Sequence, residues 1–275
     1  MSSAVKRYLI PAGVQHRYVG VRRAAHFVPF LLPHLRAGMS VLDCGCGTGS
    51  LTLDLAESVA PGRVIGLDVD ESQLAVARAS ADNRRLDGVE FSRGSVYELP
   101  FADATFDVVL ANAVLIHLAD PVQALREMRR VLRPGGIAAV SDDDLSTVVF
   151  SPDLPELRRL RDLFVQALCR SGGNPTYSRH LRALMLEAGF VRTEGFALAP
   201  ETYAESSTTR WFATFLRGLF GAGDLRTLCL EEGWTTEEEL SRFLQVAQAW
   251  SRRPDAFATW LYCAALGWQD EREAA

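Results

Sequence analysis

The sequence predicts an α/β fold in which helices cover both faces of a mostly parallel, seven-stranded sheet. Short apolar segments alternate with amphipathic segments from residue 39 to residue 141. A glycine-rich segment, Asp43–Gly49, follows the first of the apolar segments and precedes the first helix. After residue 144 the regular alternation gives way to helices rich in arginine and aromatic residues. A chain of 275 residues fits one large domain with an elaboration of this kind.

Seven segments have the length and apolar character of strands. They are Met39–Asp43, Arg63–Asp68, Val89–Arg93, Phe106–Ala111, Ile137–Ser141, Phe190–Leu198 and Phe257–Leu266. Helices are predicted between them, each closed by glycine or proline: Ser50–Ala60, Ser72–Leu86, and a helix that begins at Asp120-Pro121 with an aspartate cap and proline in its first turn. Strands that alternate with helices of this length indicate βαβ units and therefore parallel pairing.

The chain divides into four predicted regions. Residues 1–37 are expected to form a helical N-terminal cap, and residues 38–200 the sheet-containing core. Residues 201–253 are expected to form a helical insertion that acts as a lid, and residues 254–275 to supply the last strand and a tail. Further helices are predicted at Pro155–Ser171 and Ser178–Ala188.

Composition excludes several classes of protein. The net charge of −5 lacks the basic character of a dedicated nucleic-acid binder. No apolar stretch reaches the ~18 residues of a membrane span, and no secretory signal is evident. Five scattered cysteines suggest reduced thiols and a cytoplasmic location. Cys44 and Cys46 have no further ligands at zinc-like spacing, so no metal site is expected.

The glycine segment carries the strongest chemical signal. Gly45, Gly47 and Gly49 follow a G-x-G-x-G spacing, whereas dinucleotide-binding loops use G-x-G-x-x-G. A nicotinamide oxidoreductase is therefore the less favoured alternative. Asp43 precedes the glycines, and Asp68 ends the next strand about 20 residues later, where a carboxylate can accept hydrogen bonds from ribose hydroxyls.

Four segments resemble the class I S-adenosylmethionine-dependent methyltransferases, in the ubiquinone/menaquinone C-methyltransferase-like branch (methyltransferase types 11 and 25). They are VLDCGCGTGSLTLDLA, VIGLDVDESQLAVARA, LPFADATFDVVLANAVLIHLADP and ALREMRRVLRPGG, within residues 38–142. The resemblance implies a Rossmann-like fold, S-adenosyl-L-methionine as cofactor and S-adenosyl-L-homocysteine as product. It implies methyl transfer to O, N or C of a small biosynthetic metabolite. A member that binds the cofactor structurally or for a rearrangement is the alternative.

The resemblance also implies a set of cofactor-binding residues. Ser95 stands where the family usually has an acidic residue that contacts the adenine amino group. Tyr18 and Arg22, four residues apart, would share a helix face and close over the cofactor; a solvated Arg22 on a surface helix is the alternative. The complete expected set is Asp43, Gly45, Cys46, Gly47, Gly49, Asp68, Val69, Gln73, Ser95, Val96, Asn112, Tyr18 and Arg22.

The acceptor site is predicted less sharply. His117 and Asp142 are candidate bases; a structural histidine and a solvated acidic turn are the alternatives. Residues expected along the acceptor pocket are Leu115, Asp144, Trp211 and Phe215, although the two aromatic residues also suit ordinary helix core. The N/D-P-P-Y motif of enzymes that methylate DNA bases or glutamine is absent after the fourth strand. We therefore expect a small aromatic or apolar acceptor, no nucleic-acid or membrane partner, and a monomer or homodimer.

Overall fold

A computed structural model describes residues 20–270 and contains one eight-stranded sheet. The strands are β1 (Ser40–Cys44), β2 (Arg63–Asp68), β3 (Val89–Arg93), β4 (Phe106–Asn112), β5 (Leu132–Ser151), β6 (Arg192–Leu198), β7 (Thr202–Tyr203) and β8 (Phe257–Trp268). Their order is β3-β2-β1-β4-β5-β8-β6, with the short β7 also paired to β8. The first five strands pair in parallel, and β8 runs antiparallel to its neighbours. The predicted α/β sheet is confirmed, with β7 as an additional two-residue strand.

Helices flank this sheet, and aspartate side chains cap the first turns of two of them. They are α1 (Ala24–Phe27), α2 (Ser50–Val59), α3 (Glu71–Arg84), α4 (Pro121–Val131), α5 (Pro155–Arg170), α6 (Leu181–Glu187), α7 (Ser206–Gly221), α8 (Asp224–Glu231) and α9 (Glu237–Trp250). The carboxylate of Asp120 accepts a hydrogen bond from the Gln123 amide at 3.0 Å, as expected for the cap of α4. Asp70 caps α3 through the Ser72 amide at 2.8 Å.

Strand β5 is much longer than the sequence predicts. It continues past Ser141, through the three consecutive aspartates, to Ser151, with a register shift between Asp144 and Val149. The reason is β8, which pairs in antiparallel register with residues 137–144 and 149–151 of β5. The aspartates therefore lie on a strand with alternating orientations and do not form an exposed turn.

The hydrophobic core has three parts. Two clusters cover the two faces of the sheet; one includes Leu125 of α4, and the other includes Leu55 of α2. The third cluster lies beneath α5, α7, α8 and α9 and contains Phe212, Phe220 and Trp250. The helices between β6 and β8 thus pack together with α5, which precedes β6 in the chain. We call these four helices the helical cap.

The described part of the region before β1, from residue 20 onward, contains two short helical turns. Of the residues described there, Ala24–Phe27 form a single turn of α-helix and Leu32–His34 a turn of 3₁₀-helix. Tyr18, expected on a helix with Arg22, lies outside the described residues. Within residues 20–270, no helix combines the length and apolar character needed to cross a bilayer.

Candidate active site

The loop between β1 and α2 is held close to the end of β2. The amides of Gly45 and Cys46 both donate to the Leu67 carbonyl oxygen, at 2.7 and 3.0 Å. The three loop glycines have φ angles of +71°, +55° and +79°, a region that favours glycine. A Cβ atom on Gly45 would lie 2.5 Å from Cγ2 of Val114, so the loop has no room for a side chain there.

Asp68 lies at the end of β2 with both carboxylate oxygens fixed by backbone amides. One oxygen accepts from Gly47 N and the other from Asp70 N, each at 2.9 Å. Burial is the main cause that raises the pKa of this carboxyl group above its usual value. Each carboxylate oxygen can accept a further hydrogen bond. Asp68 can therefore bind the two hydroxyls of a ribose while its orientation stays fixed.

Asp43 lies at the other side of the glycine loop, at the end of β1. Its side chain is buried, accepts a hydrogen bond from Thr52 Oγ1 at 2.6 Å, and lines the central cavity. Burial raises the pKa of Asp43 to about 6. A cation beside Asp43 would stabilise the ionised carboxylate and offset the unfavourable effect of its desolvation. This environment suits the ammonium group of an amino-acid moiety.

The residues expected around an adenine ring have different surroundings. Gln73 is buried on the first turn of α3, and its Oε1 atom has no hydrogen-bond partner. Val69 is 63% exposed, so its apolar side chain is available to pack against a ligand. Ser95 Oγ accepts a hydrogen bond from the Tyr97 amide at 3.2 Å, and Val96 packs against the sheet core. An unpartnered buried carbonyl and an exposed apolar surface are features that a bound purine would satisfy.

Arg22 and Asn112 meet where β4 ends. Arg22 precedes α1 and donates from Nη1 to Asn112 Oδ1 at 3.3 Å and from Nη2 to the Tyr262 hydroxyl at 2.9 Å. It also forms an ion pair with Glu201 at 3.3 Å, and both side chains are 13% exposed. Arg22 is therefore bound to a carboxylate, and the alternative of a solvated arginine on a surface helix is wrong.

A deep cavity extends from the glycine loop into the helical cap. It is lined by residues of the glycine loop, β4, β5, β8 and the helical cap, so it runs from the loop to the interior of the cap. Asp43, Asn112 and His117 line the end at the loop. The far end is a largely apolar chamber; its walls include Leu145, Val148, Phe150, Leu157, Leu160, Phe164, Trp211, Phe212, Phe215, Leu216, Leu219, Phe220 and Trp260. Trp211 and Phe215 therefore have both expected features, because each lines the cavity and packs against the cap core.

Three expected pocket residues lie elsewhere. Leu115 is fully buried in the sheet core because the 3₁₀ turn Leu115–His117 directs Ile116 and His117 toward the cavity instead. Asp142 is buried beneath that turn and accepts from Leu115 N at 3.1 Å, and burial raises its pKa well above the usual value. Asp144 is bound by Arg179 Nε at 2.7 Å. The prediction that Asp142 or Asp144 faces the pocket is therefore corrected. Both side chains lie on the face of β5 opposite to that of Asp143.

The residue that does line the cavity from this strand is Asp143. Trp260 Nε1 donates to Asp143 Oδ1 at 2.6 Å. Glu201 and Tyr203, which hydrogen-bond to each other, also line the cavity and were not predicted. No local sequence signal distinguishes Asp143 from its two neighbours, because the predicted strand ends at Ser141, and Glu201 and Tyr203 have no local sequence motif either.

Metal ligands are not assembled in the part of the chain described here. Within residues 20–270, no group of three or more histidine, cysteine, aspartate or glutamate side chains is placed to hold a metal ion. Burial is the largest influence on the thiols of Cys44 and Cys46, and it raises the pKa of each. Both thiols are therefore kept in the protonated form.

Comparison with known proteins decides the family. A family model described as a methyltransferase domain matches residues 35–170. The protein ltbC of Aspergillus luteorubrus, named as a probable methyltransferase, is 32% identical over 90% of this chain and 92% of its own. An uncharacterised methyltransferase of Schizosaccharomyces pombe is 31% identical over 81% of each chain. The chain belongs to the class I S-adenosylmethionine-dependent methyltransferases. The demethylmenaquinone methyltransferase of Lactococcus lactis is similar over a shorter stretch, at 45% identity across 36% of this chain and 40% of its own.

Solved structures of this methyltransferase fold agree with that assignment. Phosphoethanolamine N-methyltransferase 2 of Haemonchus contortus, in complex with S-adenosyl-L-methionine, superimposes with a TM-score of 0.54 at 16% identity, covering 86% of this chain and 49% of that one. The [4+2]-cyclase SpnF superimposes with a TM-score of 0.51 at 24% identity over 86% and 76% of the two chains. Both likenesses show the fold alone. The cofactor of this methyltransferase is S-adenosyl-L-methionine, and the two aspartates and the unpartnered Gln73 carbonyl fit it.

Proposed function

We propose that this methyltransferase acts on a small biosynthetic acceptor with an aromatic or otherwise apolar body. The observation that carries the proposal is the apolar chamber, which continues directly from the glycine loop into the helical cap. Aromatic side chains from β5, α5 and α7 form its walls. Such walls stabilise an apolar ligand by burial, at roughly 25 cal/mol per Å² of apolar surface removed from water. A small molecule fits this enclosed space, whereas an extended macromolecular surface does not.

The bound cofactor supplies a reactive methyl group on a positively charged sulfur. Asp68 is proposed to bind the ribose, Asp43 the ammonium group, and the glycine loop to admit the chain between them. Asn112 and Arg22, which meet at the end of β4, are proposed to contact the methionine portion. The chamber would orient the acceptor toward the methyl group of the bound cofactor, and orientation of this kind supplies much of the acceleration. His117, at the junction of loop and chamber, is proposed to contact the acceptor.

Methyl-labelled cofactor tests the proposal directly. The purified enzyme is incubated with the labelled cofactor and a cell extract, and the products are separated by size and extracted into organic solvent. We expect the label in small, extractable molecules. Label in protein or nucleic acid would contradict the proposal.

A pair of variants connects that product to the chamber. Phe215→Asp places a charge against the apolar wall and is expected to reduce product formation at least tenfold, because an unpaired buried charge is costly. Leu186→Asp makes the same kind of change on α6, where Leu186 is 53% exposed, and should leave product formation unchanged. Equal effects of the two changes would argue against acceptor binding in the chamber.

A further inference from the structure

Asp143 is held in a fixed orientation at the wall of the cavity. Trp260 Nε1 donates to its Oδ1 atom at 2.6 Å, and the hydroxyl of Tyr262 also forms a hydrogen bond with this carboxylate. Tyr262 is itself fully buried and accepts from Arg22 Nη2 at 2.9 Å. Two donors on neighbouring residues of β8 thus position a carboxylate that can still accept hydrogen bonds from the cavity.

The position of Asp143 along β5 places it between the two halves of the cavity. Ser141 pairs with Asn112 at the end of β4, where the methionine portion of the cofactor is proposed to lie. Asp143 is two residues farther, roughly 7 Å along the strand. Beyond it, Leu145 and Phe150 begin the apolar chamber. A molecule in the chamber would therefore present its polar end to Asp143 before it reached the cofactor.

The charges between the loop end of the cavity and its apolar chamber favour some polar groups on a bound molecule over others. Asp43, Asp143 and Glu201 all line the cavity near the loop. Two arginines also line the cavity: Arg22 is engaged by Glu201, Tyr262 and Asn112, and Arg161 is paired with Asp162 at 2.7 Å. A carboxylate on the acceptor would face an excess of negative charge. A hydroxyl or an amine would instead donate a hydrogen bond to the fixed carboxylate of Asp143.

We propose that Asp143 binds the hydrogen-bond-donating group of the acceptor, a hydroxyl or an amino group attached to an apolar body, and takes up its proton. This inference rests on the proposed function of the chamber. The acceptor oxygen or nitrogen forms a bond to the methyl carbon, while the bond from that carbon to sulfur breaks and its electron pair stays on sulfur. The proton displaced from the acceptor passes to the Asp143 carboxylate. Atoms and charges balance, since the sulfonium becomes a neutral thioether as the carboxylate becomes a neutral acid.

Binding of naphthalene probes to the enzyme loaded with S-adenosylhomocysteine tests the inference. The probes are 2-naphthol, 2-methoxynaphthalene and 2-naphthoate, which share an aromatic body and differ in the polar group. Tryptophan fluorescence reports binding, because Trp211 and Trp260 line the chamber. We expect 2-naphthol to bind about tenfold tighter than 2-methoxynaphthalene, the usual advantage of a hydrogen bond to a charged group. The anionic 2-naphthoate should bind weakest.

Substitution of the carboxylate should remove this discrimination. In Asp143→Asn, the preference for 2-naphthol over 2-naphthoate is expected to fall at least tenfold, while calorimetry shows that S-adenosylhomocysteine still binds. Asp153→Asn, at an exposed aspartate shortly after β5, is the matched control and should retain the wild-type preference.

The possible outcomes separate the two proposals. Tight binding of all three probes without a preference, or an unchanged preference in Asp143→Asn, would overturn the role of Asp143 and leave the apolar chamber supported. Failure of every probe to bind the wild-type enzyme would overturn the acceptor-binding chamber itself and, with it, this inference. If the Asn variant does not fold, the ranking of the probes on the wild-type enzyme still decides.

Discussion

Asp43, Asp68 and Asp143 have different hydrogen-bond donors and therefore suit different contacts. Asp68 is held by two backbone amides, and Asp43 is buried with one hydroxyl donor. Asp143 receives an indole N–H and a phenolic hydroxyl. Backbone amides that fix a carboxylate suit a constant contact with ribose. A desolvated carboxylate with a single donor changes its charge more readily and responds to a nearby cation.

The raised pKa of Asp43 predicts that cofactor affinity depends on pH. With a pKa of about 6, Asp43 is mostly protonated at pH 5 and ionised at pH 7. Only the ionised form attracts the ammonium group, so the affinity for S-adenosylhomocysteine should rise by about tenfold between these pH values, with a midpoint near 6. Calorimetric titrations of the enzyme with S-adenosylhomocysteine at pH values across this range measure the change in affinity. Asp43→Asn can still accept the Thr52 hydrogen bond but cannot titrate.

The variant separates Asp43 from its neighbour Asp68, whose pKa is raised as well. We expect Asp43→Asn to bind S-adenosylhomocysteine weakly at both pH values and to lose most of the pH dependence. A wild-type affinity that is flat from pH 5 to pH 7 would contradict the prediction, as would a variant that keeps the full slope.

Individual residues also show where sequence reasoning succeeds and where it fails. The glycine loop and Asp68 could be predicted because their geometry depends on a strand, a turn and a helix that are adjacent in the sequence. Asp143 could not be distinguished from Asp142 and Asp144, because its orientation depends on pairing with β8, more than 100 residues away. Glu201 was missed for the same reason: its partner Arg22 lies near the other end of the chain.

At the scale of elements, the loop between β1 and α2 packs closely against α3 and β3 at Gly49. Gly49 has a φ angle of +79° and is the cap residue of α2. A Cβ atom there would lie 2.9 Å from Cβ of Ala77 on α3 and 3.0 Å from the ring of Phe91 on β3. This one glycine therefore allows a loop, two helices and a strand to approach one another.

Gly49→Ala is expected to destabilise the protein through both backbone strain and overpacking. The left-handed backbone costs a residue with a side chain roughly 1–2 kcal/mol, and overpacking adds about 1–3 kcal/mol. Urea unfolding measures the sum. Gly38→Ala is the matched control, since Gly38 has a φ angle of +87° but open space around its Cβ position. The two variants should differ by the packing contribution, and equal losses of stability would contradict the close packing at Gly49.

Strand β5 shows why element lengths are harder to predict than element order. The alternation of strands and helices predicted the succession of elements along the chain and their mostly parallel pairing, which depend on chain direction and hydrophobic period. The three aspartates suggested that β5 ends near Ser141, because charged residues are depleted in strands. Pairing with β8 and the partners Trp260, Tyr262 and Arg179 satisfy those charges, so the strand continues and delivers Asp143 to the cavity.

In the whole molecule, the cavity lies between two hydrophobic units, the sheet core and the helical cap. Arg22 joins parts of both, because it contacts Asn112 on β4, Tyr262 on β8 and Glu201 just before β7. Its guanidinium also lies 4.7 Å from the centre of the Phe27 ring. A single side chain thus connects the segment before β1 with the sheet and with the entry to the helical cap.

Loss of the Arg22 guanidinium is therefore expected to destabilise the enzyme by more than the loss of a surface ion pair would. Arg22→Met leaves Glu201 buried without its cation, and burial already raises the pKa of this carboxyl group. Removal of one partner of a buried ion pair costs about 3 kcal/mol, whereas an exposed pair contributes less than about 1 kcal/mol. Urea unfolding without cofactor measures the loss. The double variant Arg22→Met/Glu201→Gln removes the stranded charge and should be more stable than Arg22→Met, which makes the two substitutions strongly non-additive. Additive losses would mean that Arg22 stabilises the molecule through its contacts with Asn112, Tyr262 and Phe27, and that the ion pair with Glu201 contributes little.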